Sequence, residues 1–456
     1  MSSSTILAEV TQYIKQNDLN ISQFAKKLEI NVGTVSYLIN GNRTLTVDHL
    51  DRMTEVLGLP KGHFYERYIK EYLQDINPDW RRIGPFLHKC ATLGKLDCVR
   101  QIVNLLLDDL MYSTPLFELA EELFKNGNFE AAEILYENVA MSEKKQYSER
   151  LALCQYRLFK IRIGEDQVRN LKYAHQFEPF VDRLDEVLQL DALKDLANLY
   201  RALQEWDRVE ALAKEMGHKA KILYYSDKRS EGEFQEIQSK LSRPLFVYIA
   251  YEKLLCADVC DGRRDYEKAL QYTYEYADLS WVRETDEDTK YWLDLYKRWS
   301  QANIYVNKLL SGNIGVLTDY VEYLRQHPEE ISQGIYNILF AANKYQLDVD
   351  HIFQEFSSEI EAYERRQTFD FYMNQVVPDH YNEFLYDLTY YYTHKGDYKN
   401  GFNYLIQGLE NSVLINKEDS IIKFMVLFEQ VRHMATEEMC SQYKNIVSEV
   451  RRYYEK

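Results

Sequence analysis

The chain carries side chains that could do chemistry, but at spacings that favour contact over catalysis. Glu284, Asp286 and Asp288 alternate and Glu329 adjoins Glu330; carboxylates act as general acid and base only in a desolvated pocket, and runs like these read as solvated faces. No GxxxxGK[ST], GxSxG, HExxH or GxGxxG pattern occurs, and the ten His do not cluster with Cys or carboxylates at metal-ligand spacing. The six Cys, at 90, 98, 154, 256, 260 and 440, form no paired CxxC knuckles, and Cys256 with Cys260 reads as two small apolar residues on one helix face. The expectation is a chain that is not an enzyme, with no catalytic residue, cofactor or metal. What remains is the side-chain amide: Asn303 and Asn307 stand i, i+4 in SQANIYVNKLL, and Asn337 and Asn343 recur in YNILFAANKY. One amide can donate and accept at once.

The elements that would position these groups are helices. A chain of 456 residues outgrows one hydrophobic core, so at least two folding units are expected. Only 17 Gly and 8 Pro leave little turn chemistry for β-hairpins, while Leu, Glu, Lys, Gln and Ala recur at helical spacing. The predicted fold class is all-α. With 55 basic against 72 acidic residues the formal charge is -17, which favours solubility and opposes nonspecific attraction to phosphate. The first 75 residues hold eight Lys or Arg against nine Asp or Glu, so no basic footprint marks them. No charged segment followed by an apolar run opens the sequence, and no stretch of membrane-spanning length is free of charge; the reading is a reduced, cytoplasmic protein with no membrane partner.

Residues 5 to about 59 divide into short helical patterns: Ile6, Val10 and Ile14 on one face, then Ile21 to Glu29, Gly33 to Ile39, and Val47 to Leu57. Ser22 is a candidate N-cap for the second and Thr46 for the last. GLPKG at 58–62 marks a boundary, and Phe64 to about Pro78 reads as a connecting helix, giving 1–62, a linker 63–80 and a repetitive region 81–456. In that region ELAEELFKNGNFEAAEILY (118–136), DLANLYRALQEWDRVEALA (195–213), CADVCDGRRDYEKALQYTY (256–274) and LTYYYTHKGDYKNGFNYLI (388–406) share a helix, a short turn and a second helix. Their turn aromatics are Phe129, Trp206, Tyr266 and Tyr398, each followed three residues on by Ala132, Val209, Ala269 or Gly401, slim enough for close helix approach. Residues 307–324 and 339–356 look like degenerate copies.

This hairpin pattern resembles the tetratricopeptide repeat, which implies an α-solenoid with a concave groove. A generic helical solenoid is the alternative. From Leu19 onward, ISQFAKKL, the turn EINV, GTVSYLINGNR and LDRMTEVLGLP resemble the XRE-type helix-turn-helix domain of phage-repressor-like regulators. By that resemblance the helix starting near Val32 enters the DNA major groove, with Val32, Gly33, Thr34, Ser36 and Tyr37 facing bases. Gln23, Asn40, Asn42 and Arg43 would contact the phosphate backbone, where neutral amides position a protein without a basic surface. The plainer reading keeps Gln23 as a surface residue and Asn40-Gly41 as a helix C-cap, a role compatible with the first.

A domain of this type ahead of a helical array is similar to the Gram-positive peptide-pheromone receptors of the Rap, Rgg, NprR, PlcR and PrgX group. That resemblance implies a quorum-sensing transcriptional regulator: a cytoplasmic homodimer on palindromic double-stranded DNA, gated by a short linear signalling peptide in the groove. Asn198, Arg201, Asn303, Asn307, Asn337, Asn343, Tyr386 and Tyr390 are the peptide-binding candidates, with His394 beside Tyr390. Each Asn can equally serve a hydrogen bond between helices, and aromatic residues at helical spacing usually supply core. The alternative function is a non-catalytic scaffold that sequesters a response-regulator-like protein.

Overall fold

The computed structural model describes residues 5–73, 79–106, 110–143, 149–164, 166–226, 231–359 and 373–454. Among them the structure is all-helical with no strand, a short-helix bundle followed by a helical repeat-like region. The chain packs as two compact units, Met1–Ile161 and Arg162–Lys456.

In the first unit, α1 (Ile6–Gln16), α2 (Ile21–Leu28), α3 (Val32–Ile39) and α4 (Val47–Val56) bury Ile6, Val10, Phe24, Ala25, Leu28, Val35, Leu38, Leu50 and Met53. Thr46 caps α4, accepting from the His49 N–H. Ser22 does not cap α2: Asn20 does, because its Oδ1 accepts from Gln23 N at 2.8 Å while Gln23 Oε1 accepts from Asn20 N at 2.9 Å, a reciprocal box that Ser22 inside the helix cannot form. The stretch 63–80 holds α5 (Tyr65–Tyr72), and its residues 74–78 lie outside the described ones. α5 is fastened to the bundle. Arg67 pairs with both oxygens of Glu9 at 2.7 and 3.0 Å, Glu71 accepts from Ile6 N at 3.1 Å, and the Tyr68 hydroxyl donates to Leu45 O at 2.7 Å.

The unit continues through α6 (Trp80–Thr92), α7 (Leu96–Leu106), α8 (Ser113–Lys125), α9 (Phe129–Ser142) and α10 (Glu149–Arg162), whose last residue passes the division. Phe86 of α6 meets the rings of Tyr65 and Tyr68, both at 4.9 Å and edge-on. Lys89 of α6 reaches Asp48 at 2.7 Å and Asp51 at 2.6 Å on α4. The N-terminal bundle is therefore bonded to α6.

The second unit comprises α11 (Gln167–Phe177), α12 (Glu186–Ala202), α13 (Trp206–Tyr224), α14 (Glu231–Lys240), α15 (Leu245–Gly262), α16 (Tyr266–Ala277), α17 (Glu287–Leu310), α18 (Leu317–Gln326), α19 (Ile331–Tyr345), α20 (Asp350–Glu355), α21 (Met373–His394), α22 (Tyr398–Leu414), α23 (Glu418–Val431) and α24 (Glu437–Tyr454). Successive helices pack as neighbours, α12 on α13, α13 on α15, α15 on α16, α16 on α17, α17 on α19, α19 on α21 and α21 on α22. The series then meets its own start: α12 also packs on α21, Gln167 N donates to Ile415 O at 3.3 Å, and Asn416 Nδ2 donates to Asp166 at 3.2 Å. As a result 14 of the 17 residues of α12 are buried, polar ones included, so this helix is enclosed on nearly every side.

The four sequence hairpins fold as α8–α9, α12–α13, α15–α16 and α21–α22, and in each the turn aromatic is the first residue of the second helix. Two residues before it the backbone is left-handed every time, at Gly127 (φ 78°), Gln204 (59°), Arg264 (62°) and Gly396 (81°). The slim residues Ala132, Val209, Ala269 and Gly401 are all buried, and a Cβ on Gly401 would lie 2.6 Å from Thr393 Cγ2. Left-handed backbone disfavours a side chain. Gln204→Gly should therefore stabilise the second unit and Gly396→Ala destabilise it, each by about 1 kcal/mol, read as opposite shifts in urea midpoint. Shifts of the same sign would show that turn conformation does not set these residues.

Candidate nucleic-acid interface

The α2–α3 pair is built by short-range bonds. α2 ends where Glu29 turns left-handed at φ 55°, and Arg52 of α4 donates to the Leu28 and Glu29 carbonyls at 3.0 Å each, satisfying acceptors the helix end leaves open. Asn31 then caps α3, its Oδ1 accepting from Gly33 N at 2.8 Å. Asn40 is the C-cap, followed by Gly41 at φ 72°. Phe24, Ala25 and Leu28 of α2 and Val35 and Leu38 of α3 face inward, which turns the other side of α3 to solvent.

On that outer side Val32 is 44 % and Tyr37 58 % exposed, with Gly33 bare and Thr34 and Ser36 half-buried between them. Arg43 Nη1 donates to Thr34 Oγ1 at 3.2 Å, and Asn40 Nδ2 stands 3.5 Å from Ser36 Oγ. Asn40, Asn42, Arg43 and Gln23 are all exposed. Because Gln23 Oε1 is turned to the Asn20 backbone, its Nε2 is the atom available to a phosphate. Lys26 and Lys27, exposed at the end of α2, are cations near this face that sequence reasoning did not single out. Burial and the Arg43 charge hold the His49 imidazole below its ordinary range, which favours the neutral ring. The Asp48 carboxylate is held low by its bond from Lys89.

The eight residues read as peptide contacts are spread over α12, α17, α19 and α21, and most are engaged between helices. Asn198 accepts from the Tyr251 hydroxyl at 2.5 Å, and Arg201 pairs with Asp258 at 2.7 Å. Asn303 donates to the Tyr276 hydroxyl at 2.7 Å and Asn307 to Thr273 at 3.2 Å, so this i, i+4 pair faces α16. Asn337 hydrogen-bonds Tyr320, and Asn343 donates to Asp387 O at 2.9 Å. Tyr386 meets Phe424 edge-on, and Tyr390 stacks on His394 with centroids 3.8 Å apart.

The sequence reading missed the charges these helices bury. Lys194 on α12 lies 2.9 Å from Asp191 and 3.4 Å from Asp195. Although burial opposes it, Lys194 and the hydroxyls of Ser242 and Tyr248 hold Asp191 down to about 2. On α15, burial outweighs Arg201 and pushes Asp258 and Asp261 up, and Asp261 Oδ1 is buried without a hydrogen-bond partner, as is Asn307 Oδ1. The signal for the pair was available: two carboxylates three apart on a helix, LFVYIAYEKLLCADVCDG, that is apolar but for these and Glu252 and Lys253. Among the described residues no group of His, Cys, Asp or Glu is arranged to hold a metal ion, and no helix is long and apolar enough to cross a membrane.

Residues 10–64, from within α1 to the residue before α5, match the family described as helix-turn-helix. No curated protein matches the chain. The match points to a DNA-binding transcriptional regulator.

One buried carboxyl gives a pH signature. Burial, reinforced by the Glu383 carboxylate, pushes Asp387 up to about 7 from 3.8, against the opposing Asn343 bond and Lys423 charge. Between those values the folded chain keeps a proton that the unfolded chain has lost, so this stability is present below pH about 4 and is lost as pH rises through about 7. Asp387→Asn should flatten that part of the stability–pH curve and stabilise the second unit at pH 8 by roughly 1–4 kcal/mol. An unchanged slope in urea titrations would show that Asp387 is ionised throughout.

Proposed function

We propose that this chain is a sequence-specific regulator of transcription that binds double-stranded DNA through α2 and α3. It acts as a cytoplasmic homodimer on a palindromic operator, and a short linear signalling peptide held by the helical repeats sets operator occupancy. The observation that carries the DNA part is the helix-turn-helix match over residues 10–64, together with an α3 whose inner face is core and whose outer face is open. Val32, Gly33, Thr34, Ser36 and Tyr37 meet bases in this reading, and Gln23, Asn40, Asn42 and Arg43 meet the backbone. The peptide part is supported by the order of the elements, a helix-turn-helix bundle ahead of tetratricopeptide-like hairpins. The unpaired Asp261 and Asn307 oxygens on α15 and α17 add buried polar groups of the kind an extended backbone could satisfy.

The test is selection of random duplexes by the purified full chain at stated salt, with and without a peptide fraction of conditioned medium. A palindromic motif with half-sites about 34 Å or a multiple apart is expected, its occupancy changing with the fraction. Thr34→Ala with Ser36→Ala should reduce discrimination between the motif and random DNA while helicity holds; undiminished discrimination would remove these side chains from the groove. If no sequence is enriched, the bundle is a protein-docking module and a co-purifying response-regulator-like partner becomes the object of search.

Since amide donors release no counterions, the salt dependence should be shallow, with a log–log slope of magnitude below about 4 for a dimer. A slope near 10 would mean that many phosphates are neutralised by a basic surface that the first 75 residues do not contain.

A further inference from the structure

The base-facing side of α3 has an unusual chemistry. Within Val32–Ile39 there is no Arg, Lys, Asn or Gln, the side chains that pair with guanine or adenine edges through two bonds. The polar residues flanking it lie off the base-facing side in this reading: Asn31 Oδ1 holds Gly33 N at 2.8 Å, and Asn40 at the helix end and Arg43, bonded to Thr34, are the ones assigned to the phosphate backbone. The most exposed side chains of α3 are chiefly carbon, the branched methyls of Val32 and the ring of Tyr37, with the half-buried hydroxyls of Thr34 and Ser36 between them. Gly33 adds no side chain between them, so the backbone of the first turn can come close to a groove floor.

Major-groove base edges present one apolar group, the C5 methyl of thymine. Resting on the DNA-binding reading above, we propose that this protein recognises its operator chiefly through thymine methyl groups, with Val32 as the specificity-determining contact and Tyr37 as the second. The hydroxyls of Thr34 and Ser36 then supply single hydrogen bonds that orient the helix but tolerate more than one base. The ligand class is duplex DNA with thymine at fixed half-site positions, and discrimination falls on a methyl group that uracil lacks.

The experiment takes the duplex best enriched by the full chain and replaces each thymine in turn by deoxyuridine, which deletes only the methyl and keeps every base pair. At one or two symmetry-related positions affinity should fall by about fourfold per methyl, the effect of withdrawing one buried methyl-sized group. Val32→Ala, at an exposed position where folding is not at stake, should weaken the thymine duplex and erase the uracil penalty at its partner position while leaving penalties elsewhere intact. Uracil substitution at every position within twofold of the parent would overturn the proposal while leaving DNA binding established. Failure to enrich any duplex would overturn the DNA-binding reading, and this inference with it.

Discussion

A tyrosine can be buried only if its hydroxyl finds an acceptor, and this fold depends on meeting that condition many times over. The sequence has 38 Tyr, and nine of the largest fully buried side chains are tyrosines, from Tyr65 to Tyr320. Carboxylates meet the demand at Asp51 for Tyr65, Glu121 for Tyr136, Glu178 for Tyr200 and Asp191 for Tyr248; main-chain oxygens meet it for Tyr68 and Tyr296. Part of the acidic excess is thus internal structure. Most of these bonds are satisfied only when two helices are in register, so the pairs act as alignment marks between elements whose apolar contacts alone would tolerate sliding.

The enclosed α12 carries the same logic furthest. A helix with most of its surface buried has nowhere to send polar side chains, and α12 presents Asp191, Lys194, Asp195 and Asn198 to its neighbours. The ammonium sits between two carboxylates, and one of these takes Ser242 and Tyr248 as further donors. Charges paired and hydrogen-bonded in this way are tolerable inside; deleting one partner alone strands the rest. In the first unit Lys89 plays the comparable part at a more exposed place, with two α4 carboxylates on one ammonium, while Tyr65 shares Asp51.

Local signals in the sequence were sufficient where the structure is local. The four helical patterns of the N-terminal bundle, the Thr46 cap, the Asn40-Gly41 helix end and the opening of four helices by Phe129, Trp206, Tyr266 and Tyr398 all follow from spacings of a few residues. The Ser22 assignment failed because both Asn20 and Ser22 are capping types, and only the return bond from Gln23 decides between them. Long-range structure left no such trace. Asn416 and Asp166 are 250 residues apart, and no periodicity announces that they meet. The amides of Asn303 and Asn307 show the same limit: their i, i+4 spacing placed them on one face, but only the packed helices show what that face touches. The base-facing and peptide-facing assignments remain readings of resemblance, to which the structure adds exposure for the first group and inter-helix partners for most of the second.

Open stacks of helical repeats are bound only to nearest neighbours, so they can fray from either end and unfold stepwise. In the second unit the first helices are not bound to nearest neighbours alone, because α12 packs on α21 and the start of α11 is bonded to the residue after α22. Peeling away α21 would bare α12 with its interior charges, which couples a late helix of the sequence to one of the first in the unit. Loss and gain of structure there become a single event, and a ligand that strains any one seam of the closed series bears on all of them.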